Sequence, residues 1–211
     1  MRRRLKSLRP KFNRFEFISK YKERMLVAVE KLGDPLKQTT GMGPLVNKVA
    51  LERVSKMIER AKSEAELVVG GARHGEQGCF IEPTVFLNPK KGAQIYSDEV
   101  FGPVAVIRTF ETEEEVLRMA NDTEYGLMSG VFTRDIKRAM RVSSKLDSGV
   151  VGVNCVSYVS DDISSRLLIY AHTSSKMNVQ VPFGGKKQPG LGREFGEYVR
   201  SLEFLYTFAR T

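Results

Sequence analysis

Tryptophan is absent from these 211 residues, and histidine and cysteine occur only twice each. His74 and His172 stand far apart, and Cys79 and Cys155 form no CxxC pair. Neither a zinc site nor a disulfide framework is therefore suggested, and no metal ligand is assigned. Both cysteines lie in apolar runs, where a free thiol is usually a small buried hydrophobe. No run approaches the roughly 20 apolar residues that a membrane helix needs. No apolar stretch follows the basic N-terminus, as a secretory signal would require. Repeats and low-complexity tracts are missing, as are a Walker loop and an HExxH pair. In Gly126-Leu127-Met128-Ser129-Gly130 the serine stands one place late for a G-x-S-x-G elbow. After Gly190 and Gly192 the third glycine is Gly196, with Phe195 where G-x-G-x-x-G needs it. A dinucleotide fingerprint is rejected there.

What is present is globular. Hydrophobic residues make up 41% of the chain and charged ones 28%, and a chain of this length buries roughly 70% of its unfolded surface. The net charge of +9 is uneven. Residues 1–24 hold ten Lys/Arg against two Glu, leaving 24 basic and 23 acidic residues for the rest. The body is thus near neutral and shows no basic face of the kind nucleic acid needs. The basic stretch has three readings: an organelle transit peptide over Met1 to Phe15, a polybasic arm for nucleic acid or an anionic surface, or a plain tail.

Periodicity predicts an α/β chain. Phe17 to Leu32 reads as a helix ended by Gly33-Asp34-Pro35. Asn47 to Ala61 reads as another, with Val54, Met57, Ile58 and Ala61 on one side and Glu52, Arg53, Glu59 and Arg60 on the other. Leu67 to Val69 is expected as a short buried strand stopped by Gly70-Gly71. Phe80 to Leu87 is a second strand, whose Pro83 argues against a central position because proline cannot donate to a ladder. Val104 to Ile107 is an apolar strand. Thr112 and Glu115 have the spacing of a capping box for a helix carrying Val116, Leu117, Met119 and Ala120. Leu127 to Phe132 is a strand, Asp135 caps a helix bearing Ile136, Ala139, Met140 and Leu146, and Val150 to Asn154 is a buried strand. Such alternation implies a mostly parallel sheet with helices on both faces. Residues 156–181 break the rhythm without a capped element, an unusual length for a loop in a compact domain.

Two segments stand out. In Glu99-Val100-Phe101-Gly102-Pro103-Val104 the glycine frees the backbone and the proline sets φ at a strand entry. Taken alone, its glutamate is a solvated side chain and its aromatic a packing group. The segment Pro182 to Gly196 is dense in glycine, as a backbone in tight turns against another segment would be, with a helix expected from about Arg193. The carboxylates Asp161-Asp162 and Glu113-Glu114-Glu115 read as solvated.

In order along the chain, Asp34-Pro35, Gly43-Pro44-Leu45, Glu82-Pro83-Thr84-Val85, Glu99 to Val104, Tyr125-Gly126-Leu127, Gly152-Val153-Asn154 and residues 182–196 together resemble the aldehyde dehydrogenase superfamily. The resemblance covers Phe17 to Asn154 and Asn178 to Tyr198. It implies part of the family's catalytic domain, an α/β fold with a mostly parallel sheet, and oxidation of an aldehyde to a carboxylic acid with NAD or NADP. In that reaction a cysteine thiolate attacks the carbonyl, hydride passes to the nicotinamide, and a glutamate activates the hydrolytic water. By resemblance Glu99 matches the glutamate that accepts from the nicotinamide ribose hydroxyls, Phe101 the aromatic beside the nicotinamide, and Phe183 an aromatic near the substrate entrance. Asn154 and the glycines of 184–196 match positions that shape the pocket wall.

The resemblance also implies departures. The family's nucleophile, water-activating glutamate and cofactor domain lie upstream of the matched region, and neither Cys79 nor Cys155 aligns with the nucleophile. No catalytic residue is assigned, and the 211 residues alone are expected to turn over little or nothing. The expected layout is a basic tail over 1–16, a partial catalytic domain over 17–198 and an atypical C-terminal segment over 199–211. The alternatives are a non-catalytic fragment that associates with or modulates full-length subunits, and a basic surface- or nucleic-acid-binding protein acting through residues 1–24. The expected partners are a small aldehyde and further family chains, as homo-oligomer or mixed assembly, with no nucleic acid and no membrane. The expected compartment is cytoplasmic, with mitochondrial as the alternative. Residues 159–176 exceed the family-like length. Valine codons begin with GT and a lysine codon can end in AG, so Val159 to Lys176 reads as a retained intron or a wrong gene model. Sequencing of full-length transcripts is expected to show this segment skipped, and messages that mostly read straight through it would overturn the reading.

Overall fold

The computed structural model describes residues 14–154, 182–190 and 192–195. The chain divides into two compact units, Met1–Thr109 and Phe110–Thr211. Most of the basic tail, the 159–176 segment, Asp161-Asp162, Cys155 and residues 199–211 lie outside the described residues.

In the first unit, α1 spans Arg14–Val29 and buries only Ala28. The stronger helix is α2, Lys48–Glu64. Asn47 precedes it in extended conformation, and its side-chain oxygen accepts the Ala50 N–H at 2.8 Å, satisfying one of the helix's orphan donors. Leu51, Val54, Ile58 and Ala61 recur at the helical period and are all buried. At the other end the Lys90 backbone N–H and Nζ donate to the carbonyls of Glu64 and Ser63 at 2.8 and 2.9 Å.

The face of α2 meets a three-stranded sheet. Strand β1 (Glu66–Val69) runs antiparallel to β2 (Thr84–Leu87), and β2 runs parallel to β3 (Val104–Ile107). The order β1-β2-β3 puts β2 in the centre, against the position inferred from Pro83. The proline lies one residue ahead of the ladder, whose first donor is the Thr84 N–H to the Pro103 carbonyl at 2.8 Å. Its missing N–H therefore costs the sheet nothing. All four residues of β2 are buried. Thr84 is satisfied there through its hydroxyl, which accepts from the Gly71 N–H and donates to the Glu82 carbonyl. Strand β1 is buried only at Val69; a bulge between Leu67 and Val69 leaves Leu67 exposed, unlike the expected buried strand. Phe86, Ile58, Ile81, Val54 and Ala61 form the centre of the core, with Cys79 partly buried beside it. A short helix, α3 (Gln94–Ser97), which the sequence reading did not anticipate, adds Ile95 to this cluster.

The second unit contains α4 (Glu113–Asn121), β4 (Met128–Val131), α5 (Ile136–Ser143) and β5 (Val150–Val153). Strands β4 and β5 pair in parallel, with α5 as the crossover between them. Thr112 Oγ1 accepts the Glu115 N–H at 3.1 Å, and Glu115 returns the contact to the Glu111 N–H, one residue before the expected cap. Asp135 accepts from the N–H groups of Lys137 and Arg138. Helix α5 turns Ala139 and Val142 inward, whereas Ile136 and Met140 are 69% and 63% exposed and Leu146 lies past the helix end, correcting the expected face. Strand β5 is half-buried rather than buried, since the described sheet here is only two strands wide.

Of the three glutamates at 113–115, Glu114 is exposed as expected, whereas Glu113 and Glu115 are not simply solvated. Glu113 takes a two-pronged contact from Arg141 at 2.6 and 2.7 Å, joining α4 to α5, and Glu115 serves the cap. The Arg141 hydrogen bond holds the Glu113 carboxyl below the ordinary glutamate range, while the same contact raises Arg141. A lowered folded pKa stabilises the fold above the unfolded value and is lost as pH falls through the folded one. Urea midpoints should therefore be lower for Glu113→Gln than for wild type at neutral pH. The two should converge as the pH falls from the ordinary glutamate range through the lowered Glu113 pKa; midpoints equal at neutral pH would contradict the pairing.

Candidate functional site

The segment 99–103 is set up by what flanks it. Helix α3 is anchored by buried Ile95 and closed by Asp98, whose N–H donates to the Gln94 carbonyl at 2.9 Å. The Asp98 carboxylate accepts from Gln94 Nε2 at 2.7 Å and Ser97 Oγ at 2.9 Å, and these bonds hold it below the ordinary aspartate range. On the other side, the Val104 N–H closes back on the Gly102 carbonyl at 2.7 Å as β3 begins. Between them the chain presses against α2. A Cβ on Gly102 would stand 2.9 Å from Val54 Cγ1, so only glycine fits. Arg53, next to Val54, donates from Nη2 to the Val100 carbonyl at 2.6 Å.

Phe101 pays for this path with a left-handed backbone, φ +48°, a conformation costing a non-glycine residue roughly 1–2 kcal/mol. Phe101 is 71% exposed, so it packs against little among the described residues. Glu99 is exposed as well, and no hydrogen bond or ion pair engages its carboxylate among the described residues. The two line an open groove of about 470 Å³, together with Tyr96, Asp98 and the half-buried Val104 and Val106. Val104 and Val106 share one face of β3, as the strand period of two requires. At the edge, the Arg108 guanidinium lies 5.0 Å from the centre of the Tyr96 ring. Cys79 is not among the groove residues. Among the described residues no group of three His, Cys, Asp or Glu side chains could hold a metal ion.

A mixed lining with a free carboxylate and an exposed ring fits one end of a nucleotide cofactor. A nicotinamide ring and its ribose need an aromatic or aliphatic surface and an acceptor for two hydroxyls. The described residues of this groove add no glycine-rich phosphate cradle, so the fit is to that end alone.

Phe183 belongs to the second unit, within residues 182–195. Its N–H and carbonyl pair with those of Glu194 at 2.7 Å each, an antiparallel bridge. The helix expected from Arg193 is thus absent over 192–195, where Glu194 is bridged and Phe195 has φ +63°. The expected close backbone packing is present. The Lys186 and Gln188 N–H groups donate to the carbonyls of Gly126 and Glu124 at 3.0 and 3.1 Å. A Cβ on Gly149 would overlap the Gly184 carbonyl, and one on Gly184 the Gly192 carbonyl. Lys187 Nζ donates to the Asn121 and Thr123 carbonyls at 3.1 Å and lies 3.4 Å from Asp147, which Lys186 also contacts. These lysine contacts hold the Asp147 carboxyl below its ordinary range. Asn154, at φ +54°, ties its side chain to both the N–H and the carbonyl of Thr133. Its place in the fold is that of a strand-end brace.

Sequence reasoning passed over Arg53, because on a helix its position reads as the solvated side and the partner carbonyl is 47 residues away. No local pattern signals such a contact.

The aldehyde dehydrogenase family model matches residues 13–207. The chain is 42% identical over 171 residues to the chloroplastic betaine aldehyde dehydrogenase of Beta vulgaris, covering 80% of this chain and 31% of that protein. It is 41% identical over 184 residues to aldehyde dehydrogenase 1A1 of Rattus norvegicus, covering 87% and 33%. Among solved structures it resembles betaine aldehyde dehydrogenase from Staphylococcus aureus in complex with NAD+, with TM-score 0.72 and 34% identity over 88% of this chain and 34% of that one. The chain spans about a third of the length of the proteins it matches.

Replacing Gly184 by alanine should break the local backbone packing without touching the first unit's core. Amide exchange at Lys186 and Gln188 is expected to speed up while Val85 and Phe86 stay protected; unchanged exchange at both lysine-loop amides would contradict the close approach.

Proposed function

Because this chain belongs to the aldehyde dehydrogenase family, we propose that it serves NAD(P)-dependent oxidation of an aldehyde to a carboxylic acid by holding the nicotinamide end of the cofactor. The observation that carries this is the left-handed turn at Phe101, beside which a free carboxylate and an exposed ring line an open groove. Glu99 would accept from both ribose hydroxyls with its two oxygens. Phe101 would cover one face of the nicotinamide and keep water from it. Ile95, Val104 and Val106 would give the ring its apolar contacts. The cofactor, when bound, supplies the hydride acceptor for the oxidation. Phe183 is proposed as a wall of the aldehyde entrance from its place in the 182–196 motif.

Turnover by the 211 residues alone is proposed to be negligible. Cys79 packs beside the core and outside the groove, which supports reading the nucleophile as absent from these residues. A small aldehyde as substrate, association with full-length family chains and a cytoplasmic setting belong to the same proposal. No described helix is long and apolar enough to cross a membrane.

The test is titration of the chain with nicotinamide mononucleotide, followed by calorimetry or amide shifts. Weak, saturable binding is expected, with no aldehyde-dependent NADH production. Glu99→Gln should weaken binding roughly tenfold, as loss of a charge-assisted hydrogen bond does. Binding that Glu99→Gln and Phe101→Ala both leave unchanged would refute the assignment of this groove.

A further inference from the structure

Glu99 and Phe101 are separated by Val100, and nothing in their own side chains fixes the direction in which they project. That direction is decided by the peptide joining Val100 to Phe101. Rotating this peptide plane changes ψ of Val100 and φ of Phe101 together. Turned over, it would take Phe101 from its left-handed φ of +48° to the ordinary negative region, which an aromatic L-residue prefers. Some contact must therefore hold the plane in its unfavourable orientation. The Val100 carbonyl, one end of that plane, accepts from Arg53 Nη2 at 2.6 Å, a short charge-assisted bond. Arg53 is itself steadied along α2, with Nη1 3.5 Å from Met57 Sδ. One residue further on, Val54 and Gly102 touch so closely that no side chain fits between them. Phe101 is thus bracketed by two contacts from adjacent residues of α2, one polar and one apolar.

We propose that Arg53 is a positioning residue for the groove: by holding the Val100 carbonyl it keeps the Val100–Phe101 peptide turned so that Glu99 and Phe101 both face the ligand. The ligand part of this inference rests on the proposed function, whereas the peptide orientation does not. Arg53 is exposed and lies outside the core cluster, so its replacement leaves the α2–β2 packing in place. Arginine suits the task because its planar fork reaches a carbonyl across the helix surface while its stem lies along the helix. Lysine keeps the charge and one donor, so it should restore the contact in part, and methionine removes it.

The experiment compares the wild-type 211-residue chain with Arg53→Met and Arg53→Lys, each isotope-labelled for NMR. A left-handed φ brings the amide proton of a residue close to its own Hα, so wild-type Phe101 should show a strong intraresidue cross-peak. In Arg53→Met that cross-peak should weaken to the level of its neighbours and the Phe101 amide nitrogen should shift, with Val85 and Phe86 unmoved. Arg53→Lys should recover most of the wild-type signal. Loss of a charge-assisted bond shifts the flip equilibrium roughly tenfold or more. A full-strength Phe101 cross-peak in Arg53→Met overturns the proposal. The same samples titrated with nicotinamide mononucleotide separate the two ideas. If the wild type does not bind but the cross-peak still depends on Arg53, the cofactor reading fails and the positioning role stands. If the wild type binds and Arg53→Met binds equally well, the positioning has no bearing on the ligand and the proposal fails.

Discussion

Val54 is the point on which the first unit turns. It is completely buried in the inward face of α2, where such a side chain contributes about 1.5–3 kcal/mol through area removed from water. Its methyl groups also lie against the backbone at Gly102, so the packing that makes the core sets the height of the 99–103 turn above α2. The neighbouring Arg53 then takes the Val100 carbonyl. The strand that follows starts at Val104 and pairs with β2, the most buried strand of the sheet. A groove rim built this way inherits its rigidity from the core.

The second unit achieves rigidity by different means. Its described strands are half-buried and its sheet is two strands wide. Backbone contacts made possible by missing side chains take over: Gly126, Gly149 and Gly184 bring carbonyls and amides to distances that a Cβ would forbid. Two lysines tie the same stretch to Asp147 and to the end of α4. Gly184 and Gly185 are therefore packing positions, which agrees with the failure of the G-x-G-x-x-G spacing in this segment.

Helices and caps were legible because their signals are local. Thr112 and Asp135 cap where the sequence placed them, Asn47 caps α2 rather than opening it, and the Val54-Ile58-Ala61 stripe is the buried face of α2. Pro83 misled because one residue separates a proline inside a ladder from one at its threshold, and only the pairing partner decides which it is. Ile136 and Met140 misled for a related reason: a helix with two apolar sides does not announce which one will find a neighbour. Over the described residues 192–195, a bridge between Phe183 and Glu194 stands where the helix was expected to start, a pairing no window around Arg193 contains.

The sequence by itself determined the family and the alternating α/β class, and it singled out the segment that holds Glu99 and Phe101, since ordered motifs and residue types are carried in the chain. The tertiary structure alone decided that Phe101 is exposed on a left-handed backbone, that β2 is central, and that Arg53 reaches the turn. Each of these depends on which distant segment comes within a few ångströms, and that distance is a property of packing rather than of local spacing.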